Sequence, residues 1–173
     1  MIDGATIRLR SPLADDVPPL ASWRNNLALQ SQLMVRPRGS DLDAVRAWLA
    51  GRSAADRLFF VLAKLDGNSA VGYLQFENIN FIDGCADFGI CIAPEAQGRG
   101  IGSEAIRLAM SYLRMTWGLR KLSLRVLADN QHAIRLYLKS GFVECGRQQR
   151  HFCLDGTFKD VVLMELFVNA AVV

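Results

Sequence analysis

Gln97-Gly98-Arg99-Gly100-Ile101-Gly102 stands directly after an apolar run that closes at Ala93-Pro94 and directly before a stretch of helical periodicity. From Gly100 to about Trp117, Ile101, Ala105, Leu108, Ala109 and Leu113 recur at the spacing of one helix face. A strand that turns through glycines into a helix leaves few folds open. Glycine lets the backbone approach a ligand closely, several amide N–H groups can converge on one anion, and the positive end of the helix dipole points the same way. Such a turn is either a tight connection or an anion cradle, and a pyrophosphate is the natural occupant of the second.

Two common phosphate loops do not fit these letters. A Walker A loop needs lysine followed by Ser or Thr, so that the amine reaches the phosphates and the hydroxyl holds magnesium, and no lysine precedes Ser103. The dinucleotide fingerprint G-x-G-x-x-G opens a βαβ unit, whereas here the third glycine comes one place early and after a run of hairpins.

The hairpins are read from alternation and turns. Ala5 to Arg10 alternates as a first strand, and Asp15-Asp16 ahead of Pro18 opens a helix carrying Leu20, Trp23 and Leu27. Ser40-x-x-Asp43 predicts a capped second helix through Val45 and Leu49, with Arg36-Pro37-Arg38 as the loop between. Leu58 to Ala63, Ala70 to Ile79 and Cys85 to Ile92, separated by Asp66-Gly67-Asn68 and Asp83-Gly84, form an antiparallel meander. Downstream come a strand over Leu122 to Val126, a helix through Ala133, Leu136, Tyr137 and Leu138 ending at Gly141, and two late strands, Val143 to Gln149 and Val161 to Val168, around Asp155-Gly156. The expected α/β architecture is one domain over residues 1–173, a mixed, mostly antiparallel sheet of about six or seven strands flanked by about four helices.

Several function classes fall away. A net charge of +3 is mild, not the concentrated basic stripe of a nucleic-acid binder, so no nucleic-acid partner is expected. No apolar run reaches bilayer length and the first residues lack the build of a signal peptide, which makes a cytoplasmic protein without a membrane partner the expectation. Cys85, Cys91, Cys145 and Cys153 form no C-x-x-C unit and neither His132 nor His151 stands at ligand spacing, so reduced thiols and no metal are expected.

Ile90-x-Ile92-x-Pro94-x-x-Gln97-Gly98-x-Gly100-x-Gly102 resembles motif A of the GNAT N-acetyltransferases, and Asn130-x-x-Ala133-Ile134-x-x-Tyr137-x-x-x-Gly141-Phe142 resembles their motif B, in the family's order and spacing. The resemblance implies acetyl-CoA as cosubstrate, its pyrophosphate held at Gln97, Gly98, Arg99, Gly100, Ile101, Gly102 and Ser103. It also implies that backbone amides of Ile90, Cys91 and Ile92 meet the pantetheine arm and thioester carbonyl, where they would stabilise developing charge. Asn130 both caps its helix and matches a cofactor contact, and Tyr137 matches the residue that protonates the departing thiolate.

An attacking amine must lose a proton, and Asp87, on the strand leading to the turn, is the candidate base where spermidine acetyltransferases carry a glutamate; Glu77 on the preceding strand is the fallback. No cysteine is placed as an acyl carrier, which implies direct attack in a ternary complex. For the acceptor, Trp23-Arg24-Asn25-Asn26 and Arg36-Pro37-Arg38 are similar to enzymes acting on amino-sugar nucleotides, whose phosphates suit guanidinium forks. A protein N-terminus, a polyamine, and a non-catalytic acyl-CoA sensor are the alternatives. The apolar end, Leu163 to Val173, completes the sheet or covers a partner in a homodimer.

Overall fold

A computed structural model describes residues 1–36 and 39–168. Its centre is one eight-stranded sheet built from β1 (Ile2–Asp3), β2 (Ile7–Arg10), β3 (Leu58–Lys64), β4 (Ala70–Asn80), β5 (Cys85–Ile92), β6 (Lys121–Leu127), β7 (Val143–Leu154) and β8 (Thr157–Phe167), in the order β1-β2-β3-β4-β5-β6-β8-β7. All neighbours are antiparallel except β5 and β6, which run parallel because the crossover between them carries a helix. The helices are α1 (Val17–Asn25), α2 (Leu27–Gln32), α3 (Leu42–Ala50), α4 (Ile101–Thr116) and α5 (Gln131–Lys139).

The sheet is therefore wider, and the helices more numerous, than the sequence reading. Three helices rather than two separate β2 from β3. Asn26 takes an extended conformation that ends α1, and its side chain then accepts the Leu29 N–H at 3.0 Å, capping α2. The capping residues also differ from expectation. Asp41, not Ser40, caps α3, accepting the Ala44 N–H at 2.7 Å, because Ser40 is engaged elsewhere: its backbone is held from both sides by the Asn25 amide and its hydroxyl accepts from Arg24. Asp16 does not cap α1. Its carboxylate receives the Arg10 guanidinium at 2.6 and 2.8 Å and the Leu13 N–H at 2.7 Å, a bidentate ion pair with both residues buried. Pro18 and Pro19 in the first turn of α1 remove donors that a helix start leaves free anyway. The strand expected from Ala5 is β2 and begins at Ile7, since the amides of Ala5 and Thr6 are taken by the Glu104 carboxylate on α4.

Side chains alternate across the sheet and sort into two faces. On one face Trp48 of α3 packs edge-on against Phe59 and Tyr73, which stack on each other. On the other, Phe60 meets Tyr112 of α4, and Phe88 meets Tyr137 and Phe142 beside α5. Fully buried Leu9, Leu62, Leu74, Phe76, Ile106, Leu113, Leu122 and Met164 join the layers into one core.

Candidate active site

The parallel pair is joined only at its base. Cys85, Ala86 and Asp87 face Lys121, Leu122 and Ser123, and beyond them the two strands have no registered partners on that side among the described residues. β4 and β8 hold the outer edges, with Gly72–Glu77 registered against Asp87–Ile92 and Lys121–Leu127 against Val161–Phe167. The Ala93 N–H donates to Val71 O on β4 at 2.9 Å, so alternation along the extended strand turns the N–H groups of Ile90 and Ile92 away from β4 and into the gap. Cys91, between them, directs its backbone to β4; of the expected trio, two present amides and one does not.

The gap widens into a cleft of about 1140 Å³ whose walls include Ile90, Ile92, Gln97, Gly102, Ser103 and Tyr137. At its mouth lies the glycine turn. Gly98 and Gly100 take φ of 73° and 77°, conformations that side chains resist, and nothing stands within 4 Å of where a Cβ would be. The first helical closure is Glu104 N–H to Gly100 O at 3.1 Å. Ahead of it, the amides of Gly98, Arg99, Gly100, Ile101, Gly102 and Ser103 have no protein acceptor among the described residues, and α4 points its N-terminus at the same space. This turn fits the diphosphate of a CoA-type ligand: it offers free N–H donors, a helix dipole and open volume. Gln97 contributes structure, its amide donating to Ile92 O at 3.1 Å and tying the turn to the strand end. Arg99 is exposed, within the same turn.

Tyr137 reaches the cleft from α5. Phe88 and Phe142 pack against its ring, and burial first, then the neighbouring Cys91, pushes its hydroxyl up to about 12. It therefore stays a proton donor throughout ordinary working pH. Asn130 is the N-cap of α5, accepting the Ala133 N–H at 3.1 Å, and also lines the cleft. The Cys91 thiol is 1% exposed and burial pushes it up to about 12, so no thiolate is available there.

Asp87 is exposed to the cleft and held by neutral donors: Asn78 Nδ2 at 2.8 Å on one oxygen and Ser123 Oγ at 2.8 Å on the other. Asn78 sits at the irregularity in the β4–β5 register with φ of 51°. Glu77 is paired with Arg52, which makes it the poorer base. The sequence reading missed Asn78, Ser123, Lys121 and Glu165. The alternation Lys121-Leu122-Ser123-Leu124-Arg125 marks one polar face of β6, but only the parallel register brings Ser123 beside Asp87.

Of the residues expected to greet an amino-sugar nucleotide, Trp23, Arg24, Asn25 and Asn26 are spent on structure, and Arg36 is exposed. Trp23 is 4% exposed in the core, and Arg24 lies over the Trp48 ring at 4.5 Å and donates to Ser40. Pro37 and Arg38 lie outside the described residues.

The sequence pattern of the family described as acetyltransferase (GNAT) domain matches residues 6–143. Spermidine N(1)-acetyltransferase of Vibrio cholerae is 37% identical over 94 residues, 54% of each chain. The Escherichia coli K12 enzyme of the same name is 35% identical over 113 residues, 65% of this chain and 59% of that one. The chain thus spans little more than half the length of these curated relatives. Over the whole fold, a crystal structure of spermidine N-acetyltransferase from Vibrio cholerae in complex with CoA and spermine superimposes with a TM-score of 0.86 at 28% identity, covering 93% of this chain and 95% of that one. A dodecameric structure of the same enzyme gives 0.79 at 27%, covering 94% of both.

Proposed function

The chain belongs to the acetyltransferase (GNAT) domain family, and we propose that it transfers the acetyl group of acetyl-CoA to a primary amine on a small aliphatic acceptor of the polyamine class. The observation that carries this reading is the gap between β5 and β6, which aims Ile90 and Ile92 amides into a cleft that ends at the open amides of the glycine turn. Acetyl-CoA, held with its diphosphate at Gly98–Ser103, would supply the activated acetyl thioester.

Around it each residue has one task. The Ile90 and Ile92 N–H groups, fixed by the β4 register, donate to a carbonyl oxygen as it gains charge. Asp87, kept in place by Asn78 and Ser123, takes the proton the ammonium must lose, directly or through water. The Tyr137 hydroxyl gives a proton to the departing thiolate and is restored, through water, by the second proton that the nitrogen sheds as the amide forms, so that each turnover releases one net proton, from Asp87 to solvent. With the Cys91 thiol buried and protonated, the amine attacks directly and no acyl-enzyme forms.

The spermidine acetyltransferase relatives support the polyamine class over the amino-sugar nucleotide expected from Trp23 and Arg24. The likeness to an enzyme with a dodecameric structure supports an assembly larger than the homodimer expected from sequence.

The test is calorimetric binding of acetyl-CoA followed by thiol release against polyamines, amino-sugar nucleotides and N-terminal peptides. Micromolar binding with thiol released by polyamines is the expected result. Release with another acceptor class alone would overturn the substrate, binding without release to any acceptor would favour a sensor, and no binding by folded protein would overturn the reading.

A further inference from the structure

Within the cleft, one line of residues crosses four adjacent strands at a single register: Glu77 on β4 faces Asp87 on β5, Asp87 faces Ser123 on β6, and Ser123 faces Glu165 on β8. All four line the cleft. At about 4.8 Å between strands, the row extends about 14 Å from Glu77 to Glu165. Three carboxylates in such a row would suit an extended polycation, but their charges are not equally available. Glu77 is paired with Arg52 at one end, and Glu165 with Lys121 at the other. Asp87, in the middle, accepts among the described residues only from the neutral Asn78 amide and Ser123 hydroxyl. The row therefore presents one uncompensated carboxylate between two carboxylates already neutralised by the protein's own cations.

We propose that Lys121 is a specificity-determining residue that neutralises Glu165 and so turns the acceptor track toward short linear diamines, against triamines and tetraamines. The inference rests on the amine-acetyltransferase reading above and narrows its acceptor. One ammonium placed at Asp87 meets the free charge. Further ammonium groups carried along the row meet Lys121 on the β8 side and Arg52 on the β3–β4 side, and like charges juxtaposed in a partly enclosed cleft disfavour the complex. Both cations lie over a ring, Arg52 over Trp48 at 4.9 Å and Lys121 over Phe167 at 5.5 Å, but Lys121 is the more accessible to exchange, its side chain 31% exposed against 16% for Arg52.

The experiment measures KM for spermidine and for putrescine in the intact protein, with calorimetric binding of both amines to the CoA-loaded protein in parallel. Lys121→Met uncovers Glu165 and is expected to lower the spermidine-to-putrescine KM ratio by about tenfold. Lys121→Arg, which keeps the charge, should retain the parent ratio. Glu165→Gln leaves Lys121 unpaired and should move the ratio the opposite way, and the double variant should return it toward the parent value. All of these shifts should shrink as salt is raised.

Unchanged ratios in both Lys121→Met and Glu165→Gln would overturn the inference, as would a parent protein that favours spermidine over putrescine in both KM and binding. A parent protein that turns over no amine of any class overturns the proposed function instead, and the binding ratios still decide the role of Lys121. Should Lys121→Met not fold, Glu165→Gln and the salt dependence decide alone.

Discussion

Tyr137 and Asp87 occupy opposite sides of the same gap, and their surroundings differ in the way that the proposed acid and base would require. Tyr137 is packed by Phe88 and Phe142 and pushed up to about 12, chiefly by burial, whereas Asp87 is open to the cleft and steadied by neutral donors. Removing the Tyr137 hydroxyl should lower kcat by about 100-fold with little change in acetyl-CoA affinity. The profile of kcat against pH should show no alkaline fall from this group up to about pH 10, because a raised phenol remains protonated past its ordinary value. An unchanged kcat in Tyr137→Phe, with chemistry rate-limiting, would remove the residue from the mechanism. The cleft positions of both were legible from the chain, Tyr137 by its place in a motif and Asp87 by its place on the strand before the turn. The partners that orient Asp87 were not. Asn78 owes its position to a local irregularity in β4, and Ser123 to a parallel pairing between segments separated by a whole helix; neither leaves a trace in hydrophobic period.

At the level of elements, the approach of β4 to β5 sets the aim of the amides. Gly72 shows how tight it is: a Cβ there would stand 2.3 Å from Cys91 O and 3.2 Å from the Ile92 Cα, both backbone atoms of the strand that lines the gap. Gly72→Ala should therefore displace β5, destabilise the protein by about 1–3 kcal/mol and weaken acetyl-CoA binding, read by thermal unfolding and calorimetry. Retained affinity in a folded Gly72→Ala protein would show that the strand position is not what aims Ile90 and Ile92. Meander, crossover helix and late hairpin were all visible in the alternation and the Asp-Gly turns, because a strand with one buried face writes period two into its letters. The helical segment before the meander was read less well. A single asparagine that closes one helix and caps the next, and a serine tied down by Asn25 and Arg24 so that its neighbour does the capping, depend on contacts the local sequence does not state.

For the molecule as a whole, the buried pair Arg10–Asp16 fastens the entry to the first helix onto the sheet, with Asn68 adding two further acceptors, Oδ1 and its carbonyl oxygen, from the β3–β4 turn. Asp16→Asn would leave the guanidinium without its charge partner in the interior and should destabilise the fold by about 3–5 kcal/mol. Replacing both residues by apolar ones of similar size should cost far less, and urea unfolding of the single and double variants distinguishes the two. Comparable losses in both would mean that the site is held by packing rather than by charge.

The unjoined stretch of β5 and β6 has one more consequence. Where most sheets would close their ladder, this one stops, and the open amides of Ile90 and Ile92 are what any incoming ligand would meet. A substitution that zipped the two strands together would complete the sheet and close the proposed acetyl-CoA site. On the proposed function, the gap exchanges sheet sturdiness for access to two amides, the usual direction of a trade between stability and activity.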